Sequence, residues 1–485
     1  VIYKGIEKVK ILIIDPQNYN LLDFALSCIA IGHDITYYID STDRNNLTGS
    51  GLLEMSSSWE DKIEGKDLIL FATNNYKDEL VDKLIEDNYP IIGTGSLGGK
   101  LESDREFGIE ILKQYNIFNT IPCKKFNTKY ECEQYIVDNS DQRFVFKPPG
   151  ETIDKSMTYV SRNNNDLLFM LNHWDKLGKL PPQFYLQKFI KGIEMAVGGW
   201  FSYKSGFSRY VFENFEFKKL MNDDLGVATY EQGTVGRYIL GVKSKLAQEV
   251  LFKIESYLKK IKYVGYIDVN CIIDGEGIPY PLEFTTRFGY PTFALQSSLH
   301  KGDPAQFLLD LTQGKDTLRV DESVATCVVL SQPDYPYDKI PVEQQVGIPI
   351  LGITKENRKF IKLFLAMQTK VPEIIDGKIQ YVNEFATTGG FIMCCIGIGG
   401  SIQESQDRVY KLVKSIEIPN SLMYRTDIGD RLEYQIPILH SLGYFNDIEY
   451  GVNFKYKQED VNQKTSDNQR SIARSTLDYL YKLDV

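Results

Sequence analysis

The stretch Tyr266-Ile-Asp-Val-Asn-Cys-Ile-Ile-Asp-Gly-Glu-Gly-Ile-Pro-Tyr-Pro-Leu-Glu-Phe-Thr-Thr-Arg-Phe-Gly289 constrains this chain more than any other. It reads as a strand, a turn and a second strand. Ile267 to Ile273 is β-branched and apolar around Asp268, and Asp274-Gly275-Glu276-Gly277 supplies the turn. A side-chain period of two puts Glu283, Thr285 and Arg287 on one face of the second strand. Antiparallel pairing is expected to bring Asp268 close to Glu283. Converging carboxylates suit Mg²⁺, which combines them with substrate phosphates. An arginine on the same face suits an anionic intermediate. The same alternation also describes a solvated strand face with cross-strand ion pairs. The apolar flanks weigh against that second reading.

Composition narrows the classes. The 485 residues leave room for several domains, and 43% hydrophobic with 25% charged residues is ordinary for a globular protein. A net charge of −10 argues against a broad basic field for nucleic acid but leaves room for a local basic site. No apolar run is long enough to span a bilayer and no signal-peptide pattern is seen, so the expectation is a cytoplasmic protein without membrane contact. The seven cysteines lack zinc spacing and read as reduced core thiols. With four histidines, imidazole chemistry is an unpromising centre.

Along the chain, Val9–Asp15, Ile35–Asp40, Asp67–Ala72 and Tyr89–Gly93 read as strands separated by helices, which predicts a parallel α/β sheet. A helix over 103–116 capped by Ser103 follows. Lys124 to Trp174 holds short strands and a helix, Gln187–Phe201 opens a second sheet, and Leu246–Lys260 reads as one long amphipathic helix. From about 316 strands return at Ala325–Leu330 and Phe391–Gly397, then a helix at Gln403–Ser415. A last amphipathic helix is expected at Gln469–Leu483, within a tail that packs as an extra element or joins chains.

A nucleotide-binding constellation sits in the first half. Lys147 ends the apolar strand Phe144-Val145-Phe146, where it either reaches water or contacts a phosphate. The polar loop Gly150–Ser156 can hold phosphates through N–H and hydroxyl groups, although it has no Walker string. Gln187-Lys-Phe-Ile-Lys-Gly-Ile-Glu194 reads as a linker offering backbone N–H and C=O to an adenine edge and an acid to ribose hydroxyls.

These segments, in this order over roughly residues 9 to 440, resemble the glycinamide ribonucleotide synthetase (phosphoribosylamine–glycine ligase) family of ATP-grasp enzymes. Leu101-Glu-Ser-Asp-Arg-Glu-Phe-Gly108 resembles L-E-G-S-K-x-F, Gln187–Glu194 resembles E-E-F-L-x-G-x-E, and Glu283-Phe-Thr-Thr-Arg-Phe-Gly289 resembles E-F-N-x-R-F-G. Lys218 and Thr229-Tyr-Glu-Gln-Gly-Thr234 resemble the H-K and T-G-G-M-G segments, and Met423-Tyr-Arg-Thr-Asp-Ile-Gly429 resembles Y-R-x-D-I-G. The resemblance implies an α/β fold with an N-terminal parallel α/β domain (1–97), an ATP-grasp domain (98–315, lid about 121–190), a mixed α/β C-terminal domain (316–440) and an extension (441–485). It implies ATP contacts at Arg105, Lys147, Gln187, Lys188, Phe189, Ile190 and Glu194. It implies substrate contacts at Lys218, Glu231, Gly233, Thr234, Arg425 and Asp427. Asp268, Glu283 and Thr285 would take Mg²⁺ or Mn²⁺, and Arg287 would be the catalytic arginine. The implied activity is ATP-dependent carboxylate–amine ligation through an acyl phosphate, in purine biosynthesis, by a monomer or homo-oligomer, with glycine and phosphoribosylamine as default substrates.

The departures cluster on the small-substrate side. The family's glycine-rich first loop is Asp15-Pro-Gln-Asn-Tyr-Asn20 here, its G-P-E is Ala72-Thr-Asn-Asn75, its D-P-E is Tyr290-Pro-Thr292, and Gly-Gly has become Tyr230-Glu231. Proline and larger residues remove close backbone approach to a phosphate. One alternative is therefore amide formation on a different amine, such as a modified nucleotide. A non-catalytic nucleotide-binding relative is the alternative from another class; Lys147, Asp268, Glu283 and Arg287 together weigh against it.

Overall fold

The computed structural model describes residues 8–16, 20–40, 47–148, 157–337 and 339–451. The expected phosphate loop at 150–156, the centre of the 15–20 loop and the expected helix at 469–483 lie outside them.

Strands β1 (Lys10–Ile14), β2 (Asp34–Tyr38), β3 (Met55–Ser56), β4 (Leu68–Phe71) and β5 (Ile91–Ile92) form an all-parallel sheet ordered β3-β2-β1-β4-β5. Helices cover both faces of such a sheet, so its central strands β1 and β4 are apolar and buried from Ile11 to Ile14 and from Leu68 to Phe71. Ile11, Ile13, Leu68 and Leu70 enter one core, and Leu12, Ile14, Ile69 and Phe71 enter another.

The chain then turns through two short helices, Ser96–Ser103 and Arg105–Gln114, where one helix capped by Ser103 was expected. Asp104 is the cap: its carboxylate accepts the Phe107 N–H at 3.1 Å, while Ser103 Oγ donates back to the Gly99 carbonyl. A four-stranded antiparallel lid follows, from β6 (Cys123–Phe126), β7 (Phe144–Lys147), β8 (Tyr159–Val160) and β9 (Phe184–Lys188). Its own aromatic core, Phe126, Phe144, Phe146 and Phe184, is closed by the helices Lys129–Asp138 and Asn164–Lys176.

The largest sheet begins with β10 (Gly192–Ser202), β11 (Gly206–Lys219), β12 (Ala228–Leu240), β13 (Val264–Asp274) and β14 (Pro279–Thr285). It continues into the C-terminal part through β15 (Val324–Ser331), which pairs with β12 from Gly233↔Val328 to Arg237↔Val324. Beyond β15 come β16 (Pro349–Ile350), β17 (Ile361–Leu363), β18 (Ala366–Ile375), β19 (Lys378–Thr387) and β20 (Phe391–Gly399). The eight strands run β14-β13-β10-β11-β12-β15-β20-β17, so one sheet crosses the boundary expected near 315. β16, β19 and β18 make a separate small sheet.

The single helix expected over Leu246–Lys260 is broken into Lys245–Glu249, a 3₁₀ turn at Leu251–Ile254, and Glu255–Lys260. The helix expected at Gln403–Ser415 is Ile402–Val413. Residues 442–451 are not a separate extension: Leu442, Tyr444, Phe445 and Ile448 enter the main core. All seven cysteines are free and six are buried. Among the described residues no helix is long and apolar enough to cross a membrane.

Candidate active site

Alternation along the large sheet sends Val197, Val211, Val235, Ile267 and Val269 into one core and Trp200, Phe212, Tyr238 and Tyr266 to the opposite face. That second face turns polar at one end. Glu194 on β10, Asn214, Glu216 and Lys218 on β11, Asp268 and Asn270 on β13, and Glu283 and Thr285 on β14 share it. Lys218 stands at its centre, with Nζ 2.8 Å from Glu194, 2.9 Å from Glu216 and 3.3 Å from Glu283. Asn270 Nδ2 donates to Glu194 at 2.9 Å and to Glu216 at 2.8 Å.

The expected meeting of Asp268 and Glu283 is corrected by the register. Asp268 pairs with Thr285, and Glu283 pairs with Asn270. The Asp268 carboxylate instead accepts from Tyr266 Oη at 3.1 Å and Asn214 Nδ2 at 3.3 Å. Burial and the nearby Glu216 charge push Asp268 up to about 7. Glu231, buried on β12 and bonded to the Thr234 hydroxyl, is raised well above the usual carboxylate range by burial and Glu216. Glu194 goes the other way: burial disfavours its charge, but Lys218 outweighs burial and lowers it. Lys218 is in turn raised, its three acidic neighbours overcoming the cost of burial. Among the described residues, no three His, Cys, Asp or Glu side chains are placed to hold a metal ion by themselves.

A cationic group faces this acidic end. Lys147, at the end of β7, is pushed down to about 8 by burial and by the Arg105 charge, with Glu283 opposing. Among the described residues its Nζ has no hydrogen-bond or ion-pair partner, and Arg105 Nη1 is buried without one. Two neighbouring cations with unspent donors fit a polyanion such as a nucleotide's phosphates. The linker is less open than expected. Lys188 N–H donates to the Pro122 carbonyl and Phe189 N–H to the Arg143 carbonyl, each at 2.8 Å. The Arg143 guanidinium also lies 3.9 Å over the Phe189 ring. Gln187 is buried within β9, and Ile190 leads into β10.

Other expected residues are occupied within the fold. Arg287 Nε and Nη2 reach Glu102 at 3.1 and 3.0 Å. The same carboxylate accepts from Thr286 N–H and from Asn74, which follows β4. Arg287 therefore stands where the first sheet meets the end of β14. Arg425 is 2% exposed and clamped between Asp427 at 2.7 Å and Asp224 at 2.8 Å. Arg425 and Asp427 thus act on each other in this structure rather than on an open pocket. Gly233 allows close packing, since a Cβ there would meet the Cys327 carbonyl at 2.6 Å and Ile428 at 2.7 Å. Glu216, Asn214, Asn270 and Glu102 were missed. The first two carry a signal in retrospect, because Asn214-x-Glu216-x-Lys218 puts three polar side chains on one strand face.

Residues 325–431 match the model of the phosphoribosylglycinamide synthetase C domain. A phosphoribosylamine–glycine ligase from Fusobacterium nucleatum is 24% identical over 369 residues, covering 73% of this chain and 80% of the relative. The chain is thus similar to this family, as a divergent relative would be. The solved phosphoribosylamine–glycine ligase of Thermotoga maritima superposes with a TM-score of 0.65 at 18% identity, over 87% of this chain and all of the other. A biotin carboxylase from Campylobacter jejuni gives 0.58 at 10% identity, over 87% and 99%. The chain shares the fold of these proteins, with a parallel N-terminal sheet, a lid and a large antiparallel sheet.

Proposed function

We propose that this protein is an ATP-dependent carboxylate–amine ligase. The observation that carries the reading is the facing pair of charged groups, with Arg105 and Lys147 unspent on the lid side and Glu194, Glu216 and Glu283 on the sheet. Cations hold the triphosphate, and Glu194 lies where the linker delivers ribose hydroxyls. Mg²⁺ takes one or two carboxylates and completes its shell with phosphate oxygens. Glu283 with Thr285 fits that demand, and a cation bound there neutralises phosphate charge. Arg287, held by Glu102, is placed to steady the transferring phosphoryl group.

The γ-phosphoryl group moves to a carboxylate oxygen, giving an acyl phosphate and ADP. An amine nitrogen then attacks the acyl carbon, the C–N bond forms, the C–O bond to phosphate breaks, and phosphate leaves as the nitrogen loses its proton. The relatives' names make glycine the first carboxylate and phosphoribosylamine the first amine to test. An amino acid labelled with heavy oxygen in its carboxylate should pass label to the inorganic phosphate. Phosphate formed without label contradicts an acyl phosphate.

A further inference from the structure

The polar end of the sheet is two regions rather than one. Around Lys218, the charges of Glu194, Glu216 and Glu283 are met by a cation. Inward of it, Asp268 is 4% exposed and Glu231 2%, and neither has an ion pair among the described residues. Two amides complete this inner region. Asn214, fully buried, spends Nδ2 on Asp268, and its Oδ1 has no partner. Asn270, 3% exposed, spends Nδ2 on Glu194 and Glu216, and its Oδ1 also has none. Buried oxygens of this kind are costly to leave unmet.

The two amide oxygens lack donors, and the two carboxyls, bonded only to neutral groups, have no cation beside them among the described residues to hold their charge. We propose that Asp268, Glu231, Asn214 and Asn270 form the acceptor subsite, and that the amine it takes carries an ammonium group and no phosphate. This rests on the ligase reading and names the substrate class within it. An alkylammonium offers three N–H donors and one positive charge, which matches two carboxyls and two amide oxygens. A phosphate offers only acceptors and negative charge, so the same wall repels it. Asn270 belongs to both regions, since its Nδ2 bonds Glu194 and Glu216 while its Oδ1 is left without a partner. The subsite therefore lies beside the region where the acyl phosphate forms. The replacement of Gly-Gly by Tyr230-Glu231 is then a change of amine, since it brings in one of the two carboxyls.

The test is calorimetric titration of the full chain with methylammonium, 1,4-diaminobutane and spermidine, each with and without ATP. Saturable binding of at least one, weakened about tenfold or more in both Asp268→Asn and Glu231→Gln at unchanged melting temperature, is expected. Phosphoribosylamine should bind more weakly than the preferred ammonium compound. Absence of binding by all three overturns the proposal, as does equal loss in neither variant. Saturation of the site by Mg²⁺ alone, abolished in Asp268→Asn, also overturns it and makes Asp268 a metal ligand. If either variant fails to fold, Asn214→Leu, which removes the unpartnered Oδ1 together with the Nδ2 donor to Asp268, takes its place. If ATP binds and no ammonium does, the ligase reading survives and this one falls. If ATP itself fails to bind, the ligase reading falls, and the titrations without nucleotide still decide the subsite.

Discussion

Lys147 gives the sharpest residue-level consequence, because its environment both perturbs it and leaves it unspent. Burial and Arg105 hold it at about 8, so it is mostly charged at neutral pH and loses its proton just above. ATP binding should therefore weaken as pH rises through about 8. Stability of the free protein should move oppositely. Between about 8 and the unfolded value near 10.4 the unfolded chain binds more protons, so stability rises with pH there. Calorimetry at several pH values checks the first trend, and Lys147→Arg, which keeps its charge, should flatten it. Lys147→Ala should cost about 10–100-fold in ATP affinity, the worth of one charge-assisted hydrogen bond, with little change in melting temperature. Arg425 should show the reverse pattern. It is buried between Asp224 and Asp427, so Arg425→Met leaves Asp427 without its cation, while Asp224 keeps Arg431, and should cost about 1–3 kcal/mol of stability in denaturant unfolding. A normal stability with lost substrate affinity would return Arg425 to the substrate role its motif implies.

At the scale of elements, the packing of the helix Ile402–Val413 on β20 is set by Gly397, where an added Cβ would meet the Ser405 carbonyl at 2.1 Å and Val409 N at 2.5 Å. Both neighbours are backbone and cannot rotate away. Gly397→Ala should therefore push helix and sheet apart and destabilise by about 1–3 kcal/mol or more, read as a lowered melting temperature. An unchanged value would mean that the helix can slide. Strand positions were legible because the central parallel strands carry continuous apolar runs and the antiparallel ones alternate. The kinds of element were read well, but two helical boundaries were not. Asp104 was hidden beside Ser103, an equally good cap by residue type. The Leu246–Lys260 periodicity carries no mark of the break at Val250, whose backbone leaves helical geometry between two short helical pieces.

Across the whole molecule, the site joins parts far apart in sequence, and that is where sequence reading ran out. Alternation placed Glu283, Thr285 and Asp268 on one sheet face, but the β13–β14 register, which includes an irregularity between Asn270 and Cys271, decides who faces whom. Glu102 was invisible as a site residue because its partners, Asn74, Thr286 and Arg287, come from both sides of the lid. Glu102→Gln should loosen that junction, lowering turnover more than ATP affinity; equal loss of both would place Glu102 in nucleotide binding. The family resemblance reached the proposed nucleotide side through matching motifs, whereas the proposed acceptor side departs from them and had to be read from buried polar groups. The most direct test of the central claim is ADP and phosphate release by the full chain with Mg²⁺, ATP, an amino acid and an amine, each omitted in turn. The account predicts stoichiometric ADP, phosphate and amide only when carboxylate and amine are both present. ATP left intact under every combination, or hydrolysed at the same rate without either substrate, would contradict it.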